Sequence, residues 1–168
     1  MITYIIELFL SMSFFKDSRD KILIDGSLLE QFVDLSNKAQ IKGRLVEKIW
    51  LLISNLAYNK STKNFFLKYE KIFSVALQIL NLDEKSLRLK WISTQFFVNI
   101  LHKCNAAIAV VKKEHIQDQF FYLKSEMERE LDKLTFANVP KEENIEKIAI
   151  TKKLLENLSK ISNYIRLV

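Results

Sequence analysis

The chain has 168 residues, with 26 Lys plus Arg against 20 Asp plus Glu and a net charge of +6. Apolar residues make up 49% and charged residues 27%, globular proportions that exclude a disordered or collagen-like chain. Gly occurs twice and Pro once, where average usage gives about 20 of the two together, so hairpins, P-loops and dinucleotide-binding glycine motifs are excluded and the composition predicts an all-α fold.

Helical spacing of apolar residues runs through nearly the whole chain. The first unit, residues 1–43, opens on a long helix with Ile5, Leu8, Phe9, Met12 and Phe15 on one face. A polar break at Lys16-Asp17-Ser18, a short helix around Ile22-Leu23-Ile24 and a third helix from near Ser27 follow. The second unit, 44–86, repeats this plan at a shift of 43–44 residues. Its long helix carries Leu45, Ile49, Leu52, Ile53 and Leu56 with Trp50 on the flank. Its break is Asn59-Lys60-Ser61, its short helix holds Phe65-Phe66-Leu67, and its third helix begins near Glu70. The third unit, 87–135, has Leu89, Ile92, Phe96 and Ile100 on the long helix and a break at Lys103-Cys104-Asn105. A short helix around Ile108 and a third helix from near Glu114 complete it.

After Pro140 a last helix runs over about 141–166, with an apolar stripe of Ile145, Ile148, Leu155, Leu158, Ile161 and Ile165. Its many charges fit the polar outer face of a capping helix. Units of 40–47 residues built from long, short and medium helices have the armadillo or HEAT period. The prediction is therefore one domain over 1–168: an armadillo-like right-handed superhelical stack of three repeats plus a capping helix. Gly26 falls at a corner within the first unit, and Gly43 falls at the first junction. The opening helix has no preceding unit to cover its outer side, so that face is expected to be covered by upstream repeats of a longer protein or by another chain.

The ends and the cysteine count limit the compartment. Residues 1–15 are too short to span a bilayer, hold Glu7, and lack a basic start and a cleavage site. The single Cys104 permits no internal disulfide. A cytoplasmic protein without membrane association is expected.

No catalytic or metal constellation emerges. His102 and Cys104 are two residues apart and point in different directions on a helix end. Together with His115 they lack every standard zinc spacing, so neither a metal nor a cofactor is expected. Glu126, Glu128, Glu130 and Asp132 read as a solvated face. The pairs Phe14-Phe15, Phe65-Phe66, Phe96-Phe97 and Phe120-Phe121 resemble base-stacking platforms but fall where the repeat needs core filler.

Two features point to binding. Between Glu84 and Glu114 there is no acid, while Lys85, Arg88, Lys90, Lys103, Lys112 and Lys113 make one local cationic face. Asn55 and Asn99 lie one repeat apart on long helices that line the concave groove in armadillo stacks, where Asn side chains clamp an extended peptide. Trp91 stands beside that groove.

The stretches Asn55-Leu56-Ala57-Tyr58-Asn59-Lys60-Ser61-Thr62-Lys63 and Tyr69-Glu70-Lys71-Ile72, the long helix Leu87 to His102, the segment Asn105 to Lys113 and the final Leu154-Leu155-Glu156-Asn157-Leu158 resemble the C-terminal armadillo-like region of the rotatin family. The resemblance covers about 55–165. It implies a non-enzymatic scaffold in centriole or basal-body assembly and ciliogenesis, with centriolar protein partners and a cytoskeletal location. Two alternatives stand beside it. One is a free-standing adaptor that takes a peptide or acidic protein through Asn55, Asn99, Lys90 and Trp91. The other is a nucleic-acid-binding repeat that uses Arg88, Lys90, Lys103, Lys112 and Lys113, whose binding would weaken steeply with salt.

Overall fold

A computed structural model describes residues 2–22, 26–37, 43–81, 87–113, 115–136 and 142–167. Leu23, Ile24, Lys85, Glu114 and Pro140, with the roles expected of them, lie outside the described residues. Among the described residues there are ten helices and no strand, as the scarcity of glycine and proline predicts. In chain order they are α1 (Ile2–Ser13), α2 (Lys16–Ile22), α3 (Gly26–Ser36), α4 (Gly43–Leu56), α5 (Lys60–Lys68), α6 (Lys71–Leu80), α7 (Leu87–Leu101), α8 (Asn105–Lys113), α9 (Ile116–Phe136) and α10 (Glu142–Arg166). The order long, short, third helix thus occurs three times, and then α10 follows.

Two of the three polar triplets expected as breaks fall elsewhere, while Lys103 and Cys104 do separate α7 from α8 as expected. Lys16-Asp17-Ser18 is the first turn of α2, and α5 already begins at Lys60. The chain turns one or two residues earlier, because polar side chains suit a helix's first turn, where backbone N–H groups lack intrahelical partners. With so little glycine, Lys103 and His115 take the left-handed corners after α7 and α8, both at φ 53°.

Packing follows the first helices of the units. α4 lies between α1 and α7, and α7 lies between α4 and α10. The last helix therefore sits on α7 as α7 sits on α4, in the place of a fourth first helix, with α9 along its flank. That pairing accounts for the length of α9, 21 residues against 10 and 11 in the corresponding α6 and α3. Being enclosed by α4, α6 and α10, α7 is buried almost all round: Leu89, Ile92, Ser93, Phe96, Phe97, Ile100 and Leu101 are all inside.

One continuous core joins the units. At its centre the Phe96 ring has Trp50 at 5.8 Å, Phe66 at 5.6 Å, Phe73 at 6.0 Å and Phe97 at 5.3 Å, mostly edge to face. These rings come from α4, α5, α6 and α7, so the second and third units cannot separate without exposing them. Each such burial stabilises by about 1.5–3 kcal/mol. Trp50 Nε1 and Thr62 Oγ1 are buried without a hydrogen-bond partner.

The core differs from the sequence expectation at both ends. Ile6 and Ser13 are the buried residues of α1, whereas Leu8 and Phe15 point outward. Phe14 and Phe15, expected as core filler, are 65% and 67% exposed. On α10 the buried face is Thr151, Leu154, Asn157, Leu158, Ile161 and Ile165, and Ile145 is exposed.

Candidate interaction surfaces

The two asparagines singled out by their spacing sit on the seams between long helices. Asn55 of α4 donates its amide to Ser13 Oγ of α1 at 3.0 Å. Asn99 of α7 donates to the Ser54 carbonyl of α4 at 2.8 Å and accepts from Gln95 Nε2 at 3.0 Å. A third, Asn157 of α10, donates to Thr94 Oγ1 of α7 at 3.2 Å. Every first helix after α1 therefore reaches back by one amide to the helix before it. Asn157 was missed in the sequence because it lies 58 residues after Asn99, outside the 43–44 repeat shift.

Ion pairs run beside these seams. Lys48 of α4 pairs with Glu7 of α1, and Arg88 of α7 lies 3.4 Å from Glu47 of α4. On the third-helix side, Lys71 of α6 is 2.5 Å from Asp34 of α3. Between short helices, Asp20 of α2 accepts from Asn59 Nδ2 at 2.7 Å and from Ser61 Oγ at 2.6 Å. Exposed pairs of this kind add little energy individually.

The acid-free stretch does not make one cationic face. Lys90 is only 4% exposed, its stem drawn into the packing around α7. Arg88 and Lys103 lie at opposite ends of α7, about 22 Å apart at the helical rise. Lys112 and Lys113 are exposed at the far end of α8, where Lys113 borders a groove of about 290 Å³ with Glu70, Lys71 and Leu77. Trp91 is half-buried, with the Lys153 ammonium 5.3 Å from its ring centroid.

A row of side chains crosses the units where the long helices end. The Arg19 guanidinium lies 5.7 Å from the Tyr58 ring, Tyr58 stacks on His102 at 6.3 Å, and His102 Nδ1 is 3.3 Å from the Tyr164 hydroxyl. The same edge caps helix ends. Arg19 Nε donates to the Ser13 carbonyl at 2.7 Å, and Lys63 Nζ to the His102 carbonyl, placing positive charge at the negative ends of α1 and α7. Burial pushes the Lys63 ammonium below the ordinary lysine range. Burial, with Lys63 and Lys103 nearby, pushes His102 below the ordinary histidine range. Tyr58 itself remains 59% exposed.

Among the described residues, an exposed apolar surface lies on the outer side of α1. Tyr4, Leu8 and Ser11 recur at i, i+4 and i+7 on α1, opposite the buried Ile6 and Ser13, and Phe15 lies exposed beyond the helix end. Tyr4 is 76% and Leu8 60% exposed. Beside this stripe a groove of about 410 Å³ opens between α1 and α3, lined by Ile2, Ile5, Leu28, Phe32 and Leu35 with Gln31 and Asp34.

Among the described residues no group of three or more His, Cys, Asp or Glu side chains could hold a metal ion. Among them, too, no helix is long and apolar enough to cross a membrane. The chain matches no protein-family model, no curated protein and no solved structure.

Proposed function

We propose that the chain is a non-enzymatic protein-interaction scaffold of the armadillo type, its three-helix units stacked in a right-handed superhelix. The observation that carries this reading is the threefold recurrence of the long, short, third-helix order, with α1, α4, α7 and α10 layered in sequence on one shared core. Each seam has its own amide bond or ion pair, as expected of units that contact only their neighbours. The arrangement gives a protein partner long helical surfaces. A role in centriole or basal-body assembly, with centriolar proteins as partners, rests on the resemblance of 55–165 to the rotatin C-terminal region.

The test is localisation of the tagged chain in cells that are building cilia. Enrichment at centrioles or basal bodies is the expected result. A uniform cytoplasmic distribution would overturn the centriolar role. Recovery with RNA or DNA in a strongly salt-dependent manner would overturn the protein-scaffold reading.

A further inference from the structure

The first helices of the units run parallel and end level with one another. Asn55 of α4 meets Ser13 of α1, Asn99 of α7 meets Ser54 of α4, and Tyr164 of α10 meets His102 just beyond α7. All of these residues lie within two positions of a C-terminal end, at Ser13, Leu56, Leu101 or Arg166. The four ends therefore share one edge of the stack.

Each end carries the same two side-chain types, a ring followed within two residues by a cation: Phe15 and Lys16, Tyr58 and Lys60, His102 and Lys103, Tyr164 and Arg166. All four cations are exposed, while His102 and Tyr164 are half-buried. Phe14, Phe15 and Tyr58 are 65%, 67% and 59% exposed, and Leu167 after α10 is 80% exposed. Charge on the edge is one-sided. No Asp or Glu occurs between Glu47 and Glu70, between Glu84 and Glu114, or after Glu156, which covers the last three ends. At the first, Asp17 and Asp20 are outnumbered by Lys16, Arg19 and Lys21, and Asp20 is held by Asn59 and Ser61.

An acidic protein segment or a nucleic acid would answer the cations but would leave Phe14, Phe15 and Leu167 against polar groups. A bilayer answers both. Its anionic headgroups attract lysine and arginine, its acyl boundary takes apolar side chains, and tyrosine rings favour the level between. A level row of helix ends also matches a plane.

We propose that this edge docks on an anionic lipid bilayer. Phe14, Phe15 and Leu167 enter the boundary between headgroups and acyl chains, while Lys60, Lys103 and Arg166 meet the headgroups. Such a contact is peripheral and needs no spanning helix. It departs from the expectation of a chain without membrane association, which rested on the shortness of residues 1–15. The proposal is independent of any centriolar role.

Flotation of the whole chain with vesicles tests it, using phosphatidylcholine alone and phosphatidylcholine mixed with phosphatidylserine. Binding to the mixed vesicles is expected, weaker on neutral ones and weakened by salt. Lys60→Gln, Lys103→Gln and Arg166→Gln should each lower the affinity about fivefold. Phe14→Ser combined with Phe15→Ser, which leaves the charge unchanged, should lower it about tenfold or more. These positions are exposed, so helical circular dichroism should not change. Tyr122→Ser, at an exposed site on α9, should bind like the wild type. No binding to mixed vesicles at low salt overturns the proposal, as does binding that survives loss of both phenylalanines. Preferential capture by polyglutamate or duplex DNA, with vesicles unable to compete, also overturns it and assigns the edge to an acidic protein or a nucleic acid.

Discussion

Glycine 26 should be among the least replaceable residues of the surface corners, and the reason is distance rather than backbone freedom. A β-carbon built at Gly26 would lie 2.5 Å from Cε2 and 3.2 Å from Cδ2 of Phe65. Ordinary carbon–carbon contact needs about 3.5–4.0 Å, so about 1 Å must be found. The Phe65 ring is poorly placed to yield it: Phe66 stands 5.9 Å away edge-on, and Tyr69 lies at 6.2 Å. Overpacking of this kind costs about 1–3 kcal/mol. The better helix propensity of alanine offsets at most about 1 kcal/mol, and less at the first residue of a helix. Gly26→Ala should therefore lose about 1–2 kcal/mol, and the melting temperature should fall by about 2–8 °C for a chain of this size. Gly43 is the internal control, since nothing lies within 4 Å of its β-position. There the substitution only restricts the unfolded chain, which stabilises by about 0.4–1 kcal/mol. Thermal unfolding followed by circular dichroism reads both. Phe65→Leu in the Gly26→Ala background should recover part of the loss, giving a favourable coupling in the double-mutant cycle. An unchanged or raised melting temperature in Gly26→Ala, or a cycle without coupling, would refute the close approach of α3 and α5.

Asn99→Leu should lose about 1–3 kcal/mol, because the Ser54 carbonyl near the end of α4 is left without its donor. Asn55→Leu should lose less, since the Ser13 hydroxyl keeps its own bond to the Leu10 carbonyl at 2.6 Å; equal losses by denaturant titration would contradict the seam geometry. Thr62→Val should raise stability by about 1 kcal/mol, as the buried hydroxyl gives up no hydrogen bond, and a loss would mean that the hydroxyl is satisfied after all. Acid should weaken the fold through His102. Its folded-state pKa is depressed, so the unfolded chain binds the proton more readily, and stability rises with pH between the folded and unfolded values and is reduced below them. His102→Gln should flatten that part of the stability–pH curve, and an unaltered curve would remove His102 as its source.

Much of this fold is legible in the sequence because helices announce themselves by spacing, and three punctuating residues leave little else to build. The 43–44 residue shift places α1, α4 and α7 on corresponding segments, and the structure agrees. Spacing is blind to which side of a helix meets which neighbour. The face read from Ile5, Leu8, Phe9, Met12 and Phe15 is split: Phe9 and Met12 pack against the core, Ile5, Leu8 and Phe15 are exposed, and Ile6 is the apolar residue fully buried on α1. Asn55 and Asn99 read as groove residues, yet both reach back to the helix before them. Lys90 reads as surface because it is charged, yet its flexible stem is taken into the packing around a helix enclosed by three others. The place of α10 was hidden for another reason. Its charged exposed side fits a cap, and no composition rule distinguishes a cap from a fourth first helix whose outer side is polar.

The asparagine seams also explain how so apolar a set of helices keeps one register. Between α4 and α7 the contacts are mostly Leu, Ile, Phe and Trp, and a slip of one helical turn, about 5.4 Å, would exchange one apolar contact for another at small cost. The amide of Asn99 changes that balance. Displaced by a turn, it would leave the Ser54 carbonyl and find no equivalent acceptor, at a penalty of about 1–3 kcal/mol. Asn55 and Asn157 impose the same choice on the seams to either side. Three such penalties are comparable to a large part of the total stability of a domain, about 5–15 kcal/mol. Misregistered stacks are thereby separated from the native one, even though each bond adds little to it. On the outer face of α1 such an amide is missing, and Ser11 is bonded into its own helix. An apolar seam without one does not specify a register by itself.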